Sequence, residues 1–330
     1  MGRGPDAWRK DVTSWARTGA TRAAAHVPRE WRRLPREWRS PRRLMLAGAL
    51  LLAVAGFIIA TRPPAATVLP RHPAPGTTVF PIANNQVVLR FVHSTGSVNV
   101  SSGPGGQVSV TENRSGITNA INTRYRQRGD VITVTVSVEN GLMEATWVDF
   151  KVAVPRGASA NVATASGTLR ATGLAGNLVL QDTNGSIWAT NVRGALGLRT
   201  ASGSVNTSRV NGQVSAITDN GTITTAATRL RGSTLMQAQN GTINFHGSLD
   251  PGCHAVFRNT NGATGVTLTG GSAVVVKARA RSGSINSEFS SVPVGADSRG
   301  RVANGRVGGD ASARLTISTM SGSINLNRGN

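Results

Sequence analysis

Four acidic residues lie between positions 160 and 290, where carboxylates could act as a general acid and base or bind Ca²⁺: Asp182, Asp219, Asp250 and Glu288. Enzymes that cleave polysaccharides need at least two such groups on one face of the fold. Asp182 lies three residues before a turn glycine and Asp219 lies two before another, so they do not occupy equivalent positions. Asp250 and Glu288 belong to irregular connections. The pattern favours solvated turn acids and predicts no catalytic residues.

A second set of chemically competent side chains is His246, Cys253 and His254. Zinc needs three or four ligands in a compact arrangement, and the chain has no second cysteine. Cys253 stands where other repeats carry a turn glycine, which favours a small buried residue over a nucleophile. No GxSxG segment marks a serine nucleophile. We therefore predict no metal site and no cofactor.

The residues that recur most regularly are those of a turn, in which Asn or Ser precedes Gly. Successive glycines of this turn are 18 to 21 residues apart, at Gly167, Gly185, Gly203, Gly221, Gly241, Gly262 and Gly283. A period near twenty indicates stacked repeats. Asn and Ser tolerate or bond a tight turn, and glycine supplies a positive φ. Stacked Asn side chains predict a hydrogen-bond ladder, with a ligand-binding role as the alternative.

Apolar residues alternate on both sides of a second turn in each repeat. Four of the turn glycines have another glycine nine residues earlier, and pairs such as Leu178/Leu180, Leu196/Leu198 and Val214/Ala216 follow it. Alternation of this kind is typical of short strands with one buried face, and the period leaves no room for helices. The predicted fold class is all-β: a parallel β-helix or β-solenoid of 18–21-residue coils with an N-terminal β cap, preceded by one transmembrane helix.

Composition divides the chain into five predicted segments. They are a basic Trp/Arg-rich cytoplasmic tail (1–43), a transmembrane helix (44–60), a linker with six prolines (61–81), a capping region of strands (82–160) and the solenoid repeats (161–330). Within the cap, residues 87–110 and 131–138 alternate like strands, and residues 113–129 are predicted to form a loop. The linker is expected to be an extended spacer. Two more coils are predicted after Asn286, with turns at Gly305 and Gly322.

The apolar segment Leu44–Ala60 holds 17 uncharged residues, which span about 25 Å as a helix. Flanking arginines can snorkel to cover the rest of the hydrocarbon thickness. Residues 1–43 carry twelve Lys/Arg and four Asp/Glu, a net charge of +8 (12 − 4). This asymmetry predicts a single-pass cell-membrane protein with a cytoplasmic N-terminus in contact with lipid and an extracytoplasmic β domain. Cleavage as a signal peptide near Ala53-Val54-Ala55 is the alternative.

The whole chain has a formal net charge of +21, with 36 Lys/Arg against 15 Asp/Glu. Such a balance first suggests nucleic acid. However, the region after the tail has no basic helix and no aromatic residues interleaved for stacking, and the chain holds a single Tyr. We predict no nucleic-acid partner.

The residues also resemble a known family, the bacterial proteins called putative adhesins, which have β-strand repeats and are often membrane-anchored. The resemblance covers residues 85–327 and rests on the segment DFKVAVPRGASANVATASGTL, the recurrent Ser/Asn-Gly turns and the terminal GRVGGDASARLTISTMSGSINLN. It implies a β-solenoid at the cell surface and brings no catalytic residues. Many relatives carry Asp after the turn glycine, whereas this chain has Ser or Thr there, so an acidic cation-binding surface is not carried over.

These observations predict a non-enzymatic, membrane-anchored surface β-solenoid with an adhesin-like binding or structural role. Its candidate partners are a glycan or an envelope protein. One alternative is a carbohydrate-active enzyme of the β-helix type. The other is an envelope-stress or signalling component that uses the Arg/Trp tail.

Overall fold

The computed structural model describes residues 67–68, 76–84, 87–138, 146–309 and 311–329. The predicted tail and transmembrane helix lie outside the described residues. Within these described ranges, no helix is long and apolar enough to span a lipid bilayer. The described residues are nearly all β, as predicted, and their one helical element is the 3₁₀ turn Thr118–Ala120.

Twenty-one strands make up the described part of the chain. In chain order they are β1 (Thr67–Val68), β2 (Gly76–Pro81), β3 (Val88–Gly103), β4 (Gln107–Gly116), β5 (Ile121–Arg128), β6 (Val131–Val138), β7 (Thr146–Pro155), β8 (Ser159–Thr172), β9 (Leu178–Thr190), β10 (Arg193–Ser202), β11 (Val205–Ser208), β12 (Asn211–Leu230), β13 (Ser233–Leu249), β14 (His254–Asn261), β15 (Thr264–Leu268), β16 (Val274–Ser282), β17 (Ile285–Ser287), β18 (Val294–Asp297), β19 (Gly300–Val307), β20 (Ala313–Ser321) and β21 (Ile324–Arg328).

Successive repeats pair in parallel and in register. Leu178 of β9 lies beside Leu196 of β10, which lies beside Val214 of β12. All three side chains are at most 2% exposed, so the inward positions predicted from the alternation are confirmed. Each of these side chains packs against its own copy in the next repeat, because parallel strands in register place equivalent residues side by side.

The turn glycines allow the repeats to approach closely. Gly203 has φ of 146°, and a Cβ placed there would lie 1.9 Å from the carbonyl oxygen of Gly185 in the preceding repeat. No other residue fits both the backbone conformation and this contact. The recurrence of glycine in the sequence therefore has two physical causes.

The C-terminal strands do not stack in chain order, which corrects the expectation of two further consecutive coils. Strand β20, close to the end of the chain, is inserted between β14 and β16 and pairs in parallel with both. Gly305 lies within β19, which runs antiparallel to β16 and is no turn of a parallel coil. An antiparallel strand at this place covers the edge of β16.

The N-terminal strands differ from two further expectations. Residues 113–129 do not form a loop, because β4 extends to Gly116 and β5 begins at Ile121 and pairs antiparallel with β6. The segment 61–81 is extended in its described parts, but β2 pairs with β4 instead of remaining a free spacer. Its Phe80 is 1% exposed, and this burial against the core explains why the segment docks.

Candidate interaction surface

The structure separates the acidic residues that could have formed a catalytic pair. Asp182 points inward and is 5% exposed, so its assignment as a solvated turn acid was wrong. Burial raises its pKa to about 6. Asp219 points outward from β12 and accepts a hydrogen bond from Gln239 Nε2 at 3.0 Å. Since the two carboxyls lie on opposite sides of the strands, they cannot contact one substrate.

The other two acids bind neighbouring groups of the chain. Asp250 accepts hydrogen bonds from the Nε atoms of Arg229 and Arg231, the second at 2.7 Å. Burial alone would raise the pKa of Asp250, but these hydrogen bonds lower it overall. Glu288 accepts a hydrogen bond from the backbone N–H of Arg328 at 2.8 Å. Both acids therefore have structural partners at the surface.

The histidines and the cysteine do not converge on a common point. Cys253 is buried, as predicted, and its burial raises the pKa of the thiol to about 11. His246 lies outward on β13 and His254 is exposed at the start of β14. Across the residues that the structure describes, no group of three or more His, Cys, Asp or Glu side chains could hold a metal ion.

The stacked asparagines of the turns form the predicted ladder along part of the repeat region. Asn240 Nδ2 donates to Asn220 Oδ1 at 3.0 Å, and Asn261 Nδ2 donates to Asn240 Oδ1 at 2.8 Å. Ladders of this kind bond each amide to its neighbour and need no ligand. The turn interpretation of these residues is confirmed for these three strands.

A row of outward side chains follows the turn on adjacent strands. The row runs across β3, β8, β9, β11, β12 and β13, and its members are Asn99, Arg170, Trp188, Asn206, Thr224 and Asn244. Trp188 is 40% exposed. The guanidinium carbon of Arg170 lies 5.4 Å from its ring centroid, within the range of a cation–π contact. The row thus places one indole ring among amides and hydroxyls.

Further hydroxyl groups flank this row on the same face. Two residues further along the strands, the outward column is Thr172, Thr190 and Ser208. Strand spacing of about 4.8 Å keeps these groups in a regular grid. The face therefore presents a regular array of polar groups, with Trp188 as a large apolar platform.

A second exposed tryptophan, Trp147, lies on β7, which pairs with β3. Its Nε1 donates to Asp149 Oδ1 at 2.9 Å, and the same oxygen accepts hydrogen bonds from Ser97 N at 2.9 Å and from Ser97 Oγ. Burial would raise the pKa of Asp149, but these hydrogen bonds lower it overall. The carboxylate fixes the indole in place.

The sequence interpretation missed both tryptophans. A signal for Trp188 was present, since it occupies an outward position where Asn206, Thr224 and Asn244 stand in later repeats. No comparable signal marks Trp147, because its position depends on the antiparallel pairing of β7 with β4, where it lies beside Ser115.

Three solved structures similar to this chain carry names that describe putative adhesion proteins of bacteria. They include a putative adhesin from Parabacteroides distasonis (14% identity, TM-score 0.37, 79% of this chain and 97% of that one) and a putative cell adhesion protein from Clostridium sporogenes (12% identity, TM-score 0.29, 78% and 100%). A third is a putative adhesin from Bacteroides fragilis (9% identity, TM-score 0.33, 81% and 100%).

These names agree with the resemblance seen in the sequence, but at such identities and TM-scores the likeness does not extend to function. No family model and no curated protein matches the chain.

Proposed function

We propose that this protein is a non-enzymatic, adhesin-like surface protein whose β-solenoid binds a glycan of the cell envelope along the face that contains Trp188. The observation that carries the proposal is the exposed indole held by Arg170 within a row of Asn, Thr and Ser side chains.

The chemistry of that face fits a sugar chain. An exposed indole offers a rigid apolar surface on which the C–H face of a sugar ring can stack. The surrounding amides and hydroxyls can both donate and accept hydrogen bonds, as sugar hydroxyls do. Rigid aromatic anchors contribute most of the energy in many binding surfaces. A row across several strands suits an extended ligand better than a small molecule, which requires a concave site.

A non-enzymatic role is supported by the placement of the acids. Asp182 is buried inside the repeats, whereas Asp219 and Asp250 are held at the surface by Gln239 and by two arginines. A reducing-sugar assay on acidic polysaccharides tests the enzymatic alternative. Turnover that is abolished by Asp182→Ala or Asp219→Ala would favour the enzyme.

The proposed location is the outer side of the cell membrane, with residues 44–60 as a single span and the N-terminal tail in the cytoplasm. The apolar run and the net charge of +8 in residues 1–43 support this topology. Protease added to intact spheroplasts should digest residues beyond 60 and spare the tail. The opposite pattern would contradict the proposed topology.

Trp188 is the residue on which to test glycan binding. The full chain in detergent is screened against immobilised neutral envelope polysaccharides, and Trp188→Ala and Trp188→Phe are then compared on any polysaccharide that binds. Ala removes the stacking surface and should weaken binding about tenfold or more, equal to about 1.4 kcal/mol, whereas Phe should retain most of the affinity.

Thermal melts of the three proteins serve as the folding control. Equal affinity of the Ala variant and the parent protein would show that this face is not the binding surface.

A further inference from the structure

A second surface stands out by its charge. On the outward side of β14, β20, β16 and β19 lies a cluster of cationic side chains, which we call the basic patch: Arg258, Lys277, Arg279, Arg281, Arg306 and Arg314. The residues that alternate with them, such as Phe257, Leu315 and Val276, are buried, so the members of the basic patch share the solvent side of the sheet.

The register defines the arrangement of these charges. Arg258 and Arg279 lie on either side of Ser318, and Arg314 and Arg306 lie on either side of Val275. Each pair is therefore two strand spacings apart, about 10 Å. That separation is close to the screening length of about 8 Å at physiological ionic strength, so the charges reinforce one another's field.

Acidic residues neutralise little of this charge. Arg279 forms a two-point ion pair with Asp297, with distances of 3.0 and 2.8 Å. The other ion pairs among the described residues involve Arg114, Arg229 and Arg231, none of which belongs to the basic patch. Five of its six cations are thus left without an acidic partner within the described chain. An anionic ligand would relieve the mutual repulsion of these cations.

Polar groups lie between the cations. Thr316 is the neighbour of Lys277, Ser318 separates Arg258 from Arg279, and Asn304 lies beside Lys277 on the other edge. The surface therefore alternates groups that pair with anions and groups that bond hydroxyls. Guanidinium forks match the geometry of carboxylates and can pair with them at two points.

We propose that the basic patch binds a linear acidic polysaccharide through its carboxylate groups. Nucleic acid fits less well, because the outward positions of these strands hold no Phe, Tyr or Trp on which bases could stack. An anionic membrane also fits less well, because the strongly anionic leaflet is the cytoplasmic one, whereas the β domain is proposed to lie outside. This inference extends the proposed glycan binding to a second surface, and its test does not depend on Trp188.

The test uses the full chain in detergent and immobilised polygalacturonate, a polyuronate, as the probe. The variant Arg258→Gln/Arg306→Gln/Arg314→Gln removes three charges from the basic patch. The matched control Arg124→Gln/Arg126→Gln/Arg128→Gln removes three exposed arginines of β5, at the other end of the described strands. We expect the first variant to weaken polyuronate binding about tenfold or more and the control to change it less than about twofold.

Three further measurements define the ligand. Raising the salt from about 0.05 to about 0.5 M should weaken binding strongly, since exposed charges are screened. The variant Arg258→Lys/Arg306→Lys/Arg314→Lys keeps the charge and should retain part of the binding, which separates loss of charge from loss of fold. Trp188→Ala should bind polyuronate as the parent protein does, so that failure here and failure of the proposed function are distinguishable.

Specific outcomes would overturn the proposal. One is no binding to polygalacturonate, and another is an equal loss of affinity in the patch variant and the β5 control, which would indicate a response to net charge alone. Tighter binding of duplex DNA or of anionic phospholipid vesicles, lost in the same patch variant, would assign the surface to a different partner class.

Discussion

Two buried carboxyl groups show how the N-terminal strands and the stacked repeats differ. Glu112 on β4 is 1% exposed and accepts hydrogen bonds from Arg114 Nε at 2.7 Å, Thr123 Oγ1 at 2.6 Å and Tyr125 Oη at 2.9 Å. Asp182 on β9 is 5% exposed, and neither of its oxygens makes a hydrogen bond of good geometry. The backbone amides of Thr183 and Asn184 only partly offset the effect of its burial.

The difference follows from the way each region is built. In the N-terminal strands, different side chains from β4 and β5 converge on Glu112, so a charge can be paired and fully hydrogen-bonded. In the repeats, each inward residue lies beside the equivalent residues of the neighbouring repeats. Thr200 Oγ1 and Thr218 Oγ1 each donate to the turn-glycine carbonyl of the preceding repeat at 3.4 Å, and Asn259 Nδ2 does so at 3.0 Å. Asp182 occupies the equivalent position, where a carboxylate has no proton to donate.

The largest effect on stability is expected where a carboxyl group is introduced at a buried position that has no hydrogen-bond donors around it. Leu196→Asp would place a charge between Leu178 and Val214, inside the apolar column of the repeats. An unpaired buried charge should lower the free energy of unfolding by about 4 kcal/mol or more. Thermal melts and limited proteolysis measure this, and cleavage should begin near residues 185–210.

The control for that substitution is Val179→Thr, an outward and half-buried position one residue from Leu178. It should change stability by about 0.5 kcal/mol or less. Equal melting temperatures for the two variants would show that the inward register is wrong.

The second prediction concerns the loss of the Glu112 charge, which the N-terminal strands accommodate. Glu112→Gln keeps the shape but leaves the guanidinium of Arg114, whose side chain is 8% exposed, without its counter-charge. Breaking a buried ion pair in this way should cost about 3 kcal/mol. Urea unfolding gives the value.

Glu288→Gln is the matched control, because Glu288 is exposed and bonds only a backbone N–H among the described groups. If both glutamine variants unfold at the same urea concentration, the network around Glu112 contributes no more than a surface contact.

The third prediction concerns Asp182 and depends on pH. Its pKa is raised from 3.8 to about 6 in the folded protein, so the folded state binds the proton more tightly than the unfolded state. Its contribution is therefore most favourable below pH 3.8, is lost as the pH rises to about 6, and stays lost above that. Asp182→Asn supplies an N–H donor, as Asn259 does, and should stabilise the protein by about 2 kcal/mol at pH 8.

The gain from Asp182→Asn should shrink as the pH falls below about 6 and be smallest near pH 4. Asp219→Asn, at an outward position, serves as the matched control, and the gain from Asp182→Asn is measured relative to it at each pH. A gain that is independent of pH would mean that the Asp182 carboxyl is already neutral, or well solvated, at pH 8.

The sequence predicted the repeats well and the two ends of the described chain poorly, for physical reasons. Leu178, Leu196 and Val214 recur at a fixed spacing because parallel in-register pairing makes equivalent positions face one another. The insertion of β20 between β14 and β16 leaves no such trace, since its turn at Gly322 has the same residues as any other turn.

The surroundings of Glu112 and Asp182 also could not be predicted from the local sequence pattern. The three donors of Glu112, which are Arg114, Thr123 and Tyr125, all lie within residues 113–129, which were predicted to form a loop. The burial of Asp182 depends on its lying three residues before Gly185, where Thr stands in the next two repeats. Aligning the repeats at these positions would have predicted the burial of Asp182, whereas treating Asp as a typical turn residue did not.

The smallest effect on stability is expected at the asparagine ladder on the surface of the repeats, because water competes there for the amide groups. Asn240 bonds Asn220 on one side and Asn261 on the other, whereas Asn184 lies in register with Ser166 and Ser202. Asn240→Ala and Asn184→Ala remove the same side chain from the same turn position, so their difference isolates the ladder. We expect Asn240→Ala to cost about 0.5–1 kcal/mol more in thermal or urea unfolding. Equal costs would mean that the exposed amides stack without stabilising the repeats, and that the recurrence of Asn reflects the preference of the turn alone.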